Sequence, residues 1–302
     1  MAVQIAATQP ATFEDATRLL ARGTDFLGPR EVVQVFGASL APDVSNLPPL
    51  PSVAEIGLAK ELGHRLILCG PVSMKQAHDV LGNKLCNGKL LCDTAWYANE
   101  DFFLKPPVTD WHWRFTGETV IEGTLGKNYL DQTRLLAKHA KEQAFGDQPL
   151  PPAYLVAIEE FNRHESELSE LMKSDWQKAA EQLAGLKLNQ LCRETPDQVL
   201  WDVALHFKVN GGYLLQDKYT WTSQRSAGGS LVSVGGAGSD GVRVDGGHPR
   251  SSRGDLGVRF SRRALDLGSW PLSDWSFVLP CLPQAGFGPS RAKGHRATRF
   301  LG

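Results

Sequence analysis

A pair of glycines at residues 211–212 divides this 302-residue chain into two parts with different periodicities. Before the pair, apolar residues recur at the spacing of amphipathic helices, most regularly over residues 153–190. The last helix before it is predicted to begin at Thr195, with Pro196 in its first turn. Beyond the pair, the stretches YLLQDKYTWTS, GGSLVSVGG, GVRVDGG and LGVRFSRRAL have the pattern of short strands joined by glycine-rich turns. We therefore predict an α+β architecture.

The first ninety residues predict helices around one buried strand. Residues 12–36 have loosely helical spacing and precede the proline-rich stretch APDVSNLPPLPS. The stretch SVAEIGLAKELGH predicts a helix with Ser52 as its N-cap, and RLILCG predicts a buried strand. A second helix is predicted to begin near Ser73.

An aromatic region follows, in the stretches DTAWYANEDFF and VTDWHWRFTGETV. Here Trp111, Trp113 and Phe115 alternate with His112 and Arg114. Alternation with a period of two predicts a strand with one buried face. NYLDQTRLLAKHAKEQ then predicts a helix.

Overall composition indicates a cytoplasmic protein. The net charge is −1, and the five cysteines are too few and too scattered for a disulfide framework. The first twenty residues lack the basic and apolar regions of a secretory signal. No apolar run approaches the roughly 18–20 residues of a membrane span, so none is predicted. Display on a cell or virion surface stays open.

Motifs that would indicate catalysis, a metal or a bound phosphate are incomplete. In the phosphate-loop pattern, Ile121 replaces the first glycine and Asn128 replaces the hydroxyl residue after lysine. Leu168 occupies the position of the second histidine in an HExxH zinc motif, and Val232 that of the second glycine of a nucleophile elbow. The sequence therefore favours a non-catalytic protein, with no catalytic residue, metal ligand or cofactor predicted.

Arginine is concentrated in residues 243–263, which raises the question of nucleic-acid binding. This stretch contains one aromatic residue, Phe260, no lysine, and the interspersed acids Asp245 and Asp255. Single-stranded nucleic acid is usually bound by a basic groove with several stacking aromatic residues. We therefore predict no nucleic-acid partner.

The last strands resemble the C-terminal end of the C-type lectin fold in its formylglycine-generating-enzyme-like form. In that family, a strand with a tryptophan is followed by an Arg-x-x-Gly-Gly-Ser turn and a closing Gly-Val-Arg or Gly-Phe-Arg strand. The matching residues are Trp221, then Arg225, Gly228, Gly229 and Ser230, and finally Gly257, Val258, Arg259 and Phe260. The earlier half is similar to uncharacterised bacterial proteins of the same plan. The cysteine pair or histidine triad of the enzymes has no counterpart here, so their chemistry is not implied.

The same fold occurs in variable proteins of diversity-generating retroelements, which randomise adenines in AAY codons and so produce NNY codons. NNY codons cannot encode Lys, Glu, Gln, Met or Trp. Residues 226–263 contain none of these five types, although the overall composition predicts about seven. The resemblance implies a diversified ligand-binding surface in this segment. The alternative is compositional bias in a glycine-rich region, for example in a genome that favours arginine over lysine.

On the first hypothesis, apolar residues of the segment form the scaffold and residues of arbitrary type face the ligand. The predicted scaffold comprises Val232, Val234, Val242, Val244, Leu256, Val258 and Phe260, with Gly235, Gly236, Gly241 and Gly257. The predicted ligand-binding positions are Arg243, Asp245, Gly246, Gly247, His248, Arg250, Ser251, Ser252, Arg253, Asp255 and Arg259. Small polar residues and arginine form adaptable binding surfaces. The partner would be an unidentified protein or small molecule.

These observations predict four segments. They are an N-terminal helical segment and linker (1–50), an α/β lead-in (51–89), a C-type-lectin-like domain (90–265) and a flexible tail (266–302). Two other functions stay open. One is an enzyme or metal protein on the formylglycine-type scaffold, with His206, His248 or Asp202 as candidates. The other is a structural interaction module that binds a partner through the helix at residues 153–190.

Overall fold

The computed structural model describes residues 10–82 and 89–264, so the predicted tail lies outside the described part. Ten α-helices and eight strands are found in these ranges. The helices are α1 (Phe13–Leu19), α2 (Pro29–Phe36), α3 (Val53–Glu61), α4 (Met74–Leu81), α5 (Asp101–Leu104), α6 (Tyr129–Glu142), α7 (Pro152–Ser174), α8 (Trp176–Gly185), α9 (Lys187–Cys192) and α10 (Pro196–Asn210). The strands are β1 (Phe26–Leu27), β2 (His64–Cys69), β3 (His112–Gly117), β4 (Tyr219–Arg225), β5 (Leu231–Gly238), β6 (Gly241–Gly247), β7 (Leu256–Gly257) and β8 (Ser261–Arg263). The α+β class is confirmed.

The strands form two four-stranded sheets, with the orders β1-β2-β3-β8 and β6-β5-β4-β7. In the first sheet, β2 is antiparallel to β3 and β3 is antiparallel to β8. Its strands therefore come from each of the first three predicted segments. In the second sheet, β4, β5 and β6 are successive antiparallel strands, and the short β7 lies parallel to β4.

Helix α10 lies between the two sheets and is buried along most of its length. Every residue from Pro196 to His206 is buried. Four of these buried residues are polar, namely Asp197, Gln198, Asp202 and His206, so the helix is buried on all sides without being apolar on all sides. Trp201 Nε1 donates a hydrogen bond to the carbonyl of Leu68 in β2 (3.0 Å). On the other side, Val232 and Val234 of β5 belong to the same apolar cluster as the helix.

Helices α6 to α9 form a second apolar cluster, which covers part of the other face of the second sheet. This cluster includes Trp221 of β4, Leu231 of β5 and Phe260. Inside it, the ring of Trp221 meets that of Tyr129 edge-on, with centroids 5.8 Å apart. None of the helices in residues 10–82 and 89–264 has the length and apolar composition needed to cross a membrane.

Local sequence signals fix several helix ends as predicted. Ser52 caps α3 and Ser73 caps α4, each accepting a hydrogen bond from a backbone N–H in the first turn. Helix α10 begins after Thr195 and ends at Gly211, whose φ of 78° lies in the left-handed region that favours glycine. The predicted helix at residues 153–190 is three helices, because the backbone leaves helical geometry at Asp175 and again at Leu186.

The strand β3 differs from its prediction, because both of its faces are buried. Trp113 and Phe115 pack in the apolar cluster beneath α1 and α3. His112 and Arg114, expected to face solvent, are only 3% and 7% exposed. Arg114 is accommodated because its guanidinium donates two hydrogen bonds to Ser261 Oγ, at 3.0 and 2.7 Å.

Candidate ligand-binding surface

Strand β6 places alternate side chains on opposite faces of the second sheet. Val242 and Val244 are 1% and 4% exposed and join the apolar cluster that contains α10. Arg243 and Asp245 lie on the opposite face, where Arg243 is exposed and Asp245 is half-buried. All seven apolar residues of the predicted scaffold are buried, as expected. Strand β6 therefore separates scaffold from surface by its alternation.

Four of the predicted binding residues surround the ring of Tyr219. Arg253 lies over this ring, with Cζ 4.5 Å from the centroid. Its Nη1 contacts Asp245 Oδ2 and its Nε contacts Asp255 Oδ1, each at 3.0 Å. Burial raises the pKa of Tyr219, and the charge of Asp245 raises it further. The charge of Arg243 has a smaller effect and lowers this pKa. We call these five residues the Tyr219 surface.

The ion pairs of the Tyr219 surface hold the loop after β6 against the sheet. All three charged side chains in them are between 40% and 44% exposed. Ion pairs at such positions contribute only about 0–1 kcal/mol each. The charges of the Tyr219 surface can therefore be exchanged at little cost to stability.

A second group of predicted residues lies in the loop that follows β6. The ring of His248 packs against that of Trp176, with centroids 4.7 Å apart, and its Nδ1 accepts a hydrogen bond from the N–H of Arg250 (3.1 Å). Burial, followed by the charge of Arg250, lowers the pKa of His248. Arg250 and Ser252 are exposed, and Ser251 is half-buried. This loop is a polar edge of the candidate surface.

Gly246 and Gly247 have opposite surroundings, although both were predicted to face the ligand. A Cβ atom on Gly246 would lie 3.4 Å from Ser230 Cβ and from the ring of Trp96, at ordinary contact distance. A Cβ atom on Gly247 would lie 2.5 Å from the ring of Trp221, which is only 1% exposed. Position 246 can therefore accept a side chain, whereas position 247 needs glycine.

Arg259 was predicted to lie on the ligand-binding surface. This prediction is wrong, because Arg259 lies in the protein interior. Its side chain is fully buried. Its Nη2 contacts Glu194 Oε1 and Asp202 Oδ2, both at 2.6 Å, and its Nε donates to Glu194 Oε2 at 2.9 Å. Arg65 reaches Asp202 with two further bonds, at 2.9 and 2.6 Å. Burial alone would lower the pKa of Arg259, but the two carboxylates raise it above its ordinary value.

Asp197, near these buried charges, makes the stability depend on pH. Burial raises its pKa from 3.8 to about 7. The folded protein therefore binds this proton more tightly than the unfolded chain, so its contribution to stability is complete below pH 4 and is lost as the pH rises towards 7. In an Asp197→Asn variant, the side chain does not ionise, so this contribution to stability is not lost as the pH rises. Relative to wild type, the variant should gain about 1–3 kcal/mol of unfolding free energy between pH 4 and 7.

Urea denaturation of both proteins at several pH values measures this difference. Because the other titrating groups are common to both proteins, their effects cancel. A difference between the two unfolding free energies that stays constant from pH 4 to 7 would contradict the assignment.

Three aromatic residues next to predicted binding positions were missed, because they lie outside residues 226–263. They are Trp96, Trp176 and Tyr219. Trp96 is 43% exposed, and its Nε1 donates to the carbonyl of Val244 (3.0 Å), which fixes the ring beside Gly246. The signal for Trp96 was the aromatic stretch DTAWYANEDFF, since an exposed tryptophan is a frequent anchor for a ligand.

The three residues proposed for a metal or catalytic site do not form one cluster: Asp202 and His206 lie one turn apart on α10, whereas His248 lies in the loop after β6. Asp202 is held by two arginines in the interior, and His248 lies in the loop against Trp176. His206 is on α10, near Asn210. In residues 10–82 and 89–264, no group of three or more His, Cys, Asp or Glu side chains is placed to hold a metal ion. The interaction-module hypothesis stays a prediction, and α7 exposes Leu155 and Val156.

Comparison with models of protein families, with curated proteins and with solved structures finds no match to this chain.

Proposed function

We propose that this protein binds a ligand without catalysis, through the Tyr219 surface and the adjoining loop at residues 248–252. The observation that carries the proposal is the arrangement around Tyr219. Arg243, Asp245, Arg253 and Asp255 lie on the side of the sheet away from α10, while the valines of the same strand are buried. Both residue types, arginine and aspartate, are encoded by NNY codons. We propose that these positions are diversified.

We further propose that residues 90–265 form a C-type-lectin-like domain of the formylglycine-generating-enzyme type. The pairing of its last strands supports this proposal. Strand β4, which carries Trp221, pairs with β5 after the turn between Arg225 and Ser230. The closing residues begin at Leu256, which pairs with Tyr219 at the other edge of β4. The motif residues therefore lie on neighbouring strands.

Packing separates the eleven predicted positions into variable and fixed ones. Gly247 and Arg259 are fixed by the Trp221 ring and by two buried carboxylates, respectively. The positions proposed to vary are Arg243, Asp245, Gly246, His248, Arg250, Ser251, Ser252, Arg253 and Asp255. This set contains three arginines and two aspartates, so the present sequence suits a polar ligand that carries both signs of charge.

The DNA beside the gene tests the proposal. We expect a gene for a reverse transcriptase and a near-copy of the DNA that encodes residues 226–263. The two copies should differ mainly at adenines, and the differences should fall in codons of the nine variable positions. The codons of Gly247 and Arg259 should be identical in both copies.

Two results would contradict the proposal. One is the absence of a near-copy, together with unchanging residues at the nine positions in close relatives. The other is a near-copy whose differences fall on Gly247, Arg259 and the buried valines as often as on the nine positions. The second result would retain diversification but reject this assignment of the surface.

A further inference from the structure

An apolar groove lies between α1 and the start of α2, away from the Tyr219 surface in sequence and in the fold. Its volume is about 440 Å³, within the range of roughly 300–1,000 Å³ for sites that bind a ligand. The apolar part of its lining comprises Phe13, Phe26, Pro29 and Val44. Phe13 is 44% exposed and Val44 is 70% exposed. We call this feature the α1–α2 groove.

The charges at the edge of the α1–α2 groove nearly balance. Glu14, Arg22 and Arg30 are the charged lining residues. Arg22 already pairs with Glu31, whose Oε1 lies 3.0 Å from Arg22 Nε. The remaining charges are one carboxylate and one guanidinium. The groove therefore favours an apolar occupant over a strongly charged one.

The described part of the chain ends close to this groove. The N–H of Ala264 donates to the carbonyl of Trp113 (2.8 Å), and Ala264 packs against the apolar cluster beneath α1. The ring of Trp113 stacks on that of Phe26, with centroids 5.7 Å apart, and lies 6.1 Å from that of Phe13. Both phenylalanines line the groove, so the end of β8 and the groove share one aromatic cluster.

The chain beyond Ala264 is long enough to reach the groove. Strands β8 and β1 are at opposite edges of a four-stranded sheet, which places them roughly 14 Å apart at about 4.8 Å per strand. The five residues 265–269 span up to about 17 Å when extended. Residues 270–277 follow, with the sequence WPLSDWSF, which contains two tryptophans, a leucine and a phenylalanine.

We propose that the α1–α2 groove binds residues 270–277 of the same chain, with aromatic side chains against Phe13 and Phe26. The other segment near the groove, residues 1–9, contains no aromatic residue. Burial of a large apolar side chain favours binding, and the covalent connection keeps the local concentration of the segment high.

Photo-crosslinking of the full chain tests this proposal. Benzoylphenylalanine replaces Val44 in one variant. In a control variant, it replaces Val156 on α7, a valine that is 50% exposed. After irradiation and trypsin digestion, position 44 lies in the peptide of residues 31–60. We expect this peptide to be joined to residues 264–291 for the Val44 probe and not for the Val156 probe. In an equal mixture of ¹⁵N-labelled and unlabelled protein, both halves of the product should carry the same label.

A packing change in the groove gives a second measurement. Phe13→Ser should lower the yield of this product by about tenfold, since it removes the ring that the occupant contacts. Phe13 is 44% exposed, so the variant should keep its fold, which circular dichroism checks. A cross-link that fragment-ion sequencing places within residues 1–9, a product of mixed label or no product with residues 264–291 would each overturn the proposal. The first would indicate the N-terminal segment as the occupant, and the second would indicate another copy of the chain.

Discussion

An Arg259→Met variant should lose about 3–5 kcal/mol of unfolding free energy, as expected when one partner of a buried ion pair is removed. The substitution retains an unbranched side chain but removes the cation that contacts Glu194 and Asp202. Asp202 keeps its two bonds from Arg65, whereas Glu194 loses both of its bonds from Arg259. The main cost is therefore the buried carboxylate of Glu194, which is 4% exposed. Urea denaturation at neutral pH measures the loss.

Arg243→Met is the matched control, because the same residue type is exposed on the same segment of the chain. Its stability should remain within about 0.5 kcal/mol of wild type. A double variant, Arg259→Met with Glu194→Gln, should recover part of the loss because it removes the unpaired charge. Equal losses for Arg259→Met and Arg243→Met would contradict the distinction between fixed and variable positions. This result would also remove the reason to exclude Arg259 from the binding surface.

Local signals in the sequence predicted much of the fold, because caps and glycines act on their own neighbours. Ser52 and Ser73 marked two helix starts, and Gly211 marked a helix end. The position of α10 between two sheets could not be predicted in this way, since it depends on strands that are distant in the chain. Trp201, for example, bonds to Leu68 across 133 positions.

The candidate surface was predicted in part for the same reason. Alternation in β6 correctly separated Val244 from Asp245, because each strand residue determines its own face. The same rule gave a wrong location for Arg259, whose partners Glu194 and Asp202 precede it by 65 and 57 positions. An arginine between valine and phenylalanine shows no local sign of a buried ion pair. Residue type alone therefore indicates candidate positions, and packing decides which of them can accept another side chain.

Gly247→Ala should destabilise the protein by about 1–3 kcal/mol, the usual cost of an added methyl group in a filled space. The added Cβ would lie 2.5 Å from the ring of Trp221, so the ring or strand β6 has to move. The ring cannot move freely, because it is 1% exposed and packs edge-on against Tyr129. Near-ultraviolet circular dichroism should change with the position of Trp221, and thermal denaturation should show the loss of stability.

Gly246→Ala provides the comparison at the neighbouring position. Its Cβ would lie 3.4 Å from Ser230 and from the exposed Trp96, so we expect a change of no more than about 0.5 kcal/mol. The two substitutions would then differ in their effect on stability only because different side chains lie beside the two glycines. If Gly247→Ala were as stable as Gly246→Ala, position 247 would tolerate variation and would return to the ligand-binding set. If Gly246→Ala were the less stable variant, the Trp96 side of β6 would belong to the scaffold.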